Sequence, residues 1–261
     1  MSRQSLTAVR SQAGFTLVEL AVVMIIIGLL IGGVLKGQEL VKNAQITATI
    51  SQLKGVDAAT STFRDMYNGV PGDLRNAGNR IPGCGDSAIC STPGAAADSG
   101  NSQLNSAPGA APAAEAQAFF IQLALADLLT GIDTSATACT AWGLCFPEAK
   151  AGSGAGLQVG YYGGAATLGA AAAGVPPRGH YVTIQTDPGL AVNETASQAA
   201  LTPNQAARID SKVDDGNPTT GSVVSGSLAG CRGTNAAGAS VPSYNEASSA
   251  ADCNLYVRIQ G

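Results

Sequence analysis

The chain has 261 residues, enough for one or two domains, and its 14 Lys and Arg against 18 Asp and Glu give a formal charge of −4. An acidic balance excludes a general nucleic-acid binder, which needs a basic surface to replace phosphate counterions. No Cys-x-x-Cys pair occurs and His180 is the only histidine, so ligand spacing argues against structural zinc.

The first stretch, Met1 to Gly14, carries Arg3 and Arg10 and no acidic residue. From Phe15 to Leu35 the chain is apolar for 21 residues, which as a helix spans roughly 30 Å, the thickness of a bilayer's hydrocarbon core. Glu19 is the only charge in that span, and a carboxylate in lipid costs roughly 3 kcal/mol and calls for a partner. A cut between Gly14 and Phe15 creates a cationic amine four residues from Glu19, about one helical turn away. The leader has no apolar segment of its own, and no small-x-small cleavage pattern followed by a soluble domain appears where Gly37 begins a helical continuation, unlike an ordinary secretory signal. A plain signal anchor leaves Glu19 unexplained. With the leader removed, 12 basic residues face 18 acidic ones.

Beyond Leu35 the helix is expected to continue. Ile46, Ile50, Leu53, Val56, Thr60, Phe63 and Tyr67 recur every three or four positions, as on one buried helical face. No proline lies between Phe15 and Val70, so one helix of about 50 residues, near 80 Å, is allowed. Arg3 and Arg10 on one side and Lys36 on the other leave membrane orientation open on charge alone. All six cysteines lie beyond the span, and their even number places the bulk of the chain in an oxidising, exported compartment. Of 15 connectivities, short separations favour Cys84 with Cys90, Cys139 with Cys145, and Cys231 with Cys253.

Asn68-Gly69 followed by Val70-Pro71-Gly72-Asp73 ends the helix in a turn, with Gly69 as its C-terminal glycine and Asp73 in a capping or turn role. The Ala-, Gly-, Ser- and Pro-rich stretch from Ser91 to Gln117 reads as a mobile loop with little to bury. A second helix is expected from Ala113 to Leu129, with Phe119, Phe120, Leu123, Ala124, Leu128 and Leu129 on its packing face. Trp142 is either a buried anchor, the preferred reading, or an exposed adhesion residue. Strands are expected at Leu157–Tyr162, His180–Thr186 and Asn254–Ile259, with a small-residue loop from Gly163 to Gly174. Thr202-Pro203-Asn204-Gln205 starts a third helix, running to Val213, with an N-cap, a first-turn proline and a capping-box glutamine. Asp210, Asp214 and Asp215 then bring carboxylates together. A solvated acidic turn is the simpler reading, and calcium, helped by backbone and Asn217 oxygens, is the metal alternative.

Gly14-Phe15-Thr16-Leu17-Val18-Glu19-Leu20, after a short basic leader and before an uninterrupted apolar run, resembles the prepilin motif of type IV pilins and type II secretion pseudopilins. The segment from Phe63 to Asp73 resembles the helix-to-head junction of pilin-like proteins. Lys36 departs from the pattern, standing where many pilins and pseudopilins have a proline. The resemblance implies cleavage after Gly14 by prepilin peptidase, methylation of the Phe15 amine, and assembly through Glu19. It also implies an α+β fold, in which a long N-terminal transmembrane and amphipathic helix carries a small antiparallel-sheet head. Residues 1–14 are then the leader, 15–35 the membrane and filament-core helix, 36–68 its amphipathic continuation, and 69–261 the exported head. Some pseudopilins bind calcium near the C-terminus, which extends the resemblance to the acidic turn; no other cofactor is required.

The function this implies is a pilin or minor pilin of a type IV pilus-like filament. Its partners are other pilin subunits, prepilin peptidase, the inner-membrane assembly platform and, before assembly, the membrane itself. The single-pass chain sits in the inner membrane with its head exported, then in an extracellular pilus or periplasmic pseudopilus. A type II secretion pseudopilin is the alternative within that class, and a membrane-tethered exported enzyme or adhesin the alternative outside it. No nucleotide motif, catalytic metal cluster or nucleophile elbow is present in the sequence, so no enzyme is expected.

Overall fold

A computed structural model describes residues 14–91, 99–152, 154–164, 176–188, 199–226, 230–234 and 240–259. The leader arginines, part of the 91–117 stretch (92–98), and most of the 163–174 loop lie outside the described residues. The chain forms two compact units, one up to Asn43 and one from Ala44 onward. Helix α1, Leu17–Tyr67, is a single α-helix of 51 residues. In the first unit it runs without a break through Gly28, Gly32, Gly33, Lys36 and Gly37, and its large apolar side chains from Leu17 to Val41 are exposed.

The second unit is the globular one. From Ile46 to Phe63, α1 buries Ile46, Thr49, Ile50, Leu53, Val56, Ala59, Thr60 and Phe63, so the three-or-four spacing read in the sequence is a core face. Short helices α2 (Ala77–Arg80) and α3 (Ala88–Ser91) follow, then α4 (Ala114–Leu125) and α5 (Pro203–Val213). Strands β1 (Gly156–Tyr162), β2 (Gly179–Gln185), β3 (Val223–Ser225) and β6 (Leu255–Ile259) make an antiparallel sheet in the order β1-β2-β6-β3. Strands β4 (Arg232–Thr234) and β5 (Ser240–Tyr244) form a separate two-stranded ribbon. The fold is α+β, with a long apolar N-terminal helix and an antiparallel-sheet head.

One face of the four-stranded sheet supplies Leu157, Val159, Val182, Ile184, Leu255 and Val257 to the core shared with α1 and α4. The opposite face carries Gln158, Thr183, Gln185, Tyr181 and Tyr256, and it too is buried.

Helix α4 is shorter than expected. It ends at Leu125 because Asp127 takes a left-handed conformation, φ 57°. The Asp127 and Leu128 N–H groups donate back to Ala124 and Leu123 carbonyls, a Schellman closure in which aspartate does what glycine usually does. Leu128 and Leu129 therefore pack from the following turn, half-buried. At the end of α1, the left-handed residue is Asn68, φ 49°, rather than Gly69, and Arg80 donates a hydrogen bond to the Tyr67 carbonyl. Helix α5 has the expected start: Gln205 N donates to Thr202 Oγ1 at 3.3 Å and Thr202 N to Gln205 Oε1 at 3.0 Å.

The described part of the 91–117 stretch is not the loosely packed loop its composition suggests. Leu104 and Ser106 are buried, and Tyr161 N donates to the Ser106 carbonyl at 2.7 Å. The backbone at Ala107 and Pro108 lies against Gly160 so closely that a Cβ there would sit 2.5 Å from Pro108 N. Backbone contact, rather than large side chains, seals this edge of the sheet. Gly160→Val is therefore expected to lower stability by about 1–3 kcal/mol in denaturant titrations and to speed hydrogen exchange at the Tyr161 amide. Gly163→Ala, at an exposed position where a Cβ meets only Tyr161 at 3.6 Å, should leave both unchanged.

Candidate functional site

The N-terminal segment is built around the start of α1. Gly14, Phe15 and Thr16 precede the helix and are exposed, with Phe15 91% exposed. The Gly14–Phe15 peptide bond thus lies in irregular, accessible backbone. Thr16 is the residue before the first helical residue, and Glu19 is the third residue of the helix. Glu19 N donates to Thr16 Oγ1 at 3.2 Å, while Thr16 N and Thr16 Oγ1 donate to Glu19 Oε2 at 2.9 and 2.8 Å.

That reciprocal arrangement is a capping box. It satisfies orphan donors at the helix start and holds the carboxylate where the helix dipole favours a negative charge. The carboxylate expected to need the Phe15 amine therefore has a partner within the uncleaved chain. The Thr-x-x-Glu spacing carries this signal in the sequence, and the reading of Glu19 as a lone charge overlooks it. Cleavage would add an amine one residue before Thr16.

The other candidate residues fall at separate places in the head. The cysteines form Cys84–Cys90, Cys139–Cys145 and Cys231–Cys253. Trp142, inside the Cys139–Cys145 loop, is half-buried, and its ring lies against Gly156. Its Nε1 donates to the Gly154 carbonyl at 2.9 Å and the Thr186 carbonyl at 3.2 Å, so it anchors this loop to the sheet. His180 is buried on β2 beside Tyr161; desolvation, then the Arg64 charge, pushes its imidazole down to about 4. Asp73 is buried and accepts from the amides of Gly100 and Ser102, so it fixes a distant turn rather than capping its own. Burial raises its carboxyl above the usual range, against the pull of those amides.

Asp210, Asp214 and Asp215 do converge, with one oxygen from each lying within 4.8 Å of the others. Their surroundings differ. Asp210 is fully buried and accepts from Tyr244 Oη at 2.8 Å and Gly216 N at 3.1 Å. Asp214 Oδ2 accepts from the amides of Ser222 and Val223. Asp215 accepts from Asn217 N at 2.8 Å and Thr220 Oγ1 at 2.6 Å. Donors from the chain thus close the turn, whereas calcium asks for six or more oxygens aimed at one point. Burial raises the Asp210 carboxyl to about 6, and the Asp214 and Asp215 charges add to that rise.

Because the folded chain holds the Asp210 proton more tightly than the unfolded chain does, stability from this group is present at acidic pH and is lost as pH rises through about 6. Between pH 4 and pH 7 the Asp210→Asn variant, which keeps an acceptor for Tyr244, should lose less stability than the unmodified chain. Urea midpoints at the two pH values measure the difference.

Compared with known protein families, residues 9–35 match the prokaryotic N-terminal methylation motif. The match takes in Arg10, the Gly14–Phe15 bond, the Thr16–Glu19 capping box and the apolar run to Leu35. No curated protein and no solved structure matches the chain.

Proposed function

We propose that this chain, whose N-terminal segment is a prokaryotic N-terminal methylation motif, is the precursor of a pilin-like filament subunit. Prepilin peptidase cuts after Gly14 and the new Phe15 amine is methylated. Helix α1 is long and apolar enough to cross a membrane, and it holds the chain in the inner membrane as a single pass with the head exported. The subunit is then drawn, with other subunits, through an assembly platform into a filament. It is a structural protein rather than an enzyme.

The observation that carries this reading is Glu19 as the one charge in the exposed apolar span from Phe15 to Leu35, near the start of α1. The Thr16 hydroxyl and amide share the carboxylate's charge, which lowers its insertion cost without removing it. Oε2 accepts both Thr16 bonds. Two oxygens accept up to about four hydrogen bonds in all, so a methylated amine on a neighbouring subunit can join the same carboxylate. Assembly then places a cation where lipid placed none. A type II secretion pseudopilin precursor uses the same N-terminal chemistry and differs in where its filament forms. Calcium at Asp210, Asp214 and Asp215 is not part of this reading.

Mass spectrometry of the native mature chain should find a methylated N-terminal Phe15. Glu19→Ala should cut incorporation into sheared filaments at least tenfold, and Thr16→Val, which removes the hydroxyl but keeps the shape, should cut it severalfold. An uncleaved terminus together with unchanged incorporation of Glu19→Ala would overturn the proposal.

A further inference from the structure

Two arginines of the head are laid against backbone and joined by a hydrogen bond. Arg178 precedes β2 and is exposed; Arg258 lies on β6 opposite Tyr181 and is half-buried. Arg258 Nη2 donates to the Arg178 carbonyl at 3.1 Å, which plants one guanidinium at the base of the other residue. Arg258 Nε is buried and has no acceptor among the described residues. It lies over Gly179, where a Cβ would sit 2.9 Å away, so the space that a side chain would fill belongs to the guanidinium. Arg178 Nε lies in the same way over Gly164, 3.0 Å from the Cβ position. Both long side chains are therefore laid against backbone instead of trailing into solvent, which lowers the entropy they lose on gripping a partner.

Neither guanidinium has a carboxylate partner among the described residues. Asp65, Asp86, Asp127 and Glu148 are exposed, and they too lack an ion pair among the described residues. The chain thus displays two fixed cations at one place and unneutralised carboxylates at others.

We infer that Arg178 and Arg258 form a docking point for a carboxylate of a second copy of this chain, contributed by Asp65, Asp86, Asp127 or Glu148. A guanidinium fork matches a carboxylate in shape and charge. Because donor and acceptor patches lie at different places on each copy, the contact is heterologous and repeats from copy to copy instead of closing a dimer. The inference rests on the filament proposal, in which copies are held at high effective concentration and a contact too weak to act between free chains contributes.

The test uses the full chain in its native host, with sheared filaments as the readout. Arg178→Glu with Arg258→Glu should lower incorporation tenfold or more, with the exported head still protease-resistant. Reversal of one of the four acidic residues to Arg in the same chain should restore it at least threefold. Should the Arg258 change harm folding, Arg178→Glu alone decides, since its side chain is exposed. Wild-type incorporation of the charge-reversed chain, or a loss that none of the four reversals repairs, overturns the inference. Glu19→Ala run in parallel separates the two proposals: if it lowers incorporation while the arginine variants do not, only the docking point falls.

Discussion

The head depends on one physical constraint, the register of α1 between Ile46 and Phe63. That face must present Ile50, Leu53, Val56 and Phe63 to the core while carrying threonines that cannot be left unbonded there. Thr60 meets the requirement by donating to the Val56 carbonyl at 2.8 Å, and Thr49 by donating to the Gln45 carbonyl at 3.0 Å. Thr49 Oγ1 also accepts from Ala151 N at 2.7 Å, and Gln52 Nε2 donates to the Glu148 carbonyl at 2.7 Å. These bonds fix the segment that leads directly into β1, whose edge is extended by Leu157 N donating to the Pro147 carbonyl at 2.9 Å. A quarter-turn of the helix would lose the apolar contacts and these polar anchors together, so packing and hydrogen bonding specify the same register.

Much of this was legible because its signals are local. The apolar run, the Thr202–Gln205 capping box and strands β1, β2 and β6 each carry their pattern within a few residues. The burial of Leu104, Ser106 and Pro108 was not legible, because it is decided by Gly160, far along the chain, which admits a backbone where a side chain would be expected. The end of α4 was misplaced for a related reason, since Asp127 adopts a left-handed conformation inside the stretch expected to be helical, whereas α1 ends at Tyr67, beside the expected Asn68-Gly69 turn. Strands β3 and β4 have three residues each, too few to show a period of two. At the N-terminus, Thr16 was passed over although its spacing to Glu19 is a known capping pattern.

The sheet shows the limits of alternation as a guide to exposure. An antiparallel sheet packed on helices ordinarily has one apolar and one solvated face. Here Gln158, Thr183 and Gln185 sit on the face away from the main core and are as buried as the valines opposite. Trp142 over Gly156 and the Ala107–Pro108 backbone over Gly160 cover that face from two ends of β1. The polar residues mark it as a surface by composition, while the segments folded over it make it an interior.

A head so poor in large side chains must find order elsewhere. Aromatic residues are 5% of the chain, and Gly alone contributes 33 positions, so side-chain burial competes with the high backbone entropy of glycine. The disulfides act at the places where this balance is weakest. Cys231–Cys253 spans 22 residues and ties the ribbon's first strand to the start of β6; a loop of that size contributes roughly 3 kcal/mol by restricting the unfolded chain. The two six-residue closures restrict the unfolded chain less, and their value is positional. Cys139–Cys145 encloses Trp142, which covers the sheet. Cys84–Cys90 fixes the carbonyl of Cys90, which accepts from buried Gln122 Nε2 at 3.2 Å while Gln122 Oε1 takes the Gly72 amide at 2.6 Å. Covalent closure thus sets the backbone groups to which buried side chains bond, and a sparse core is supported by the chain's own peptide groups.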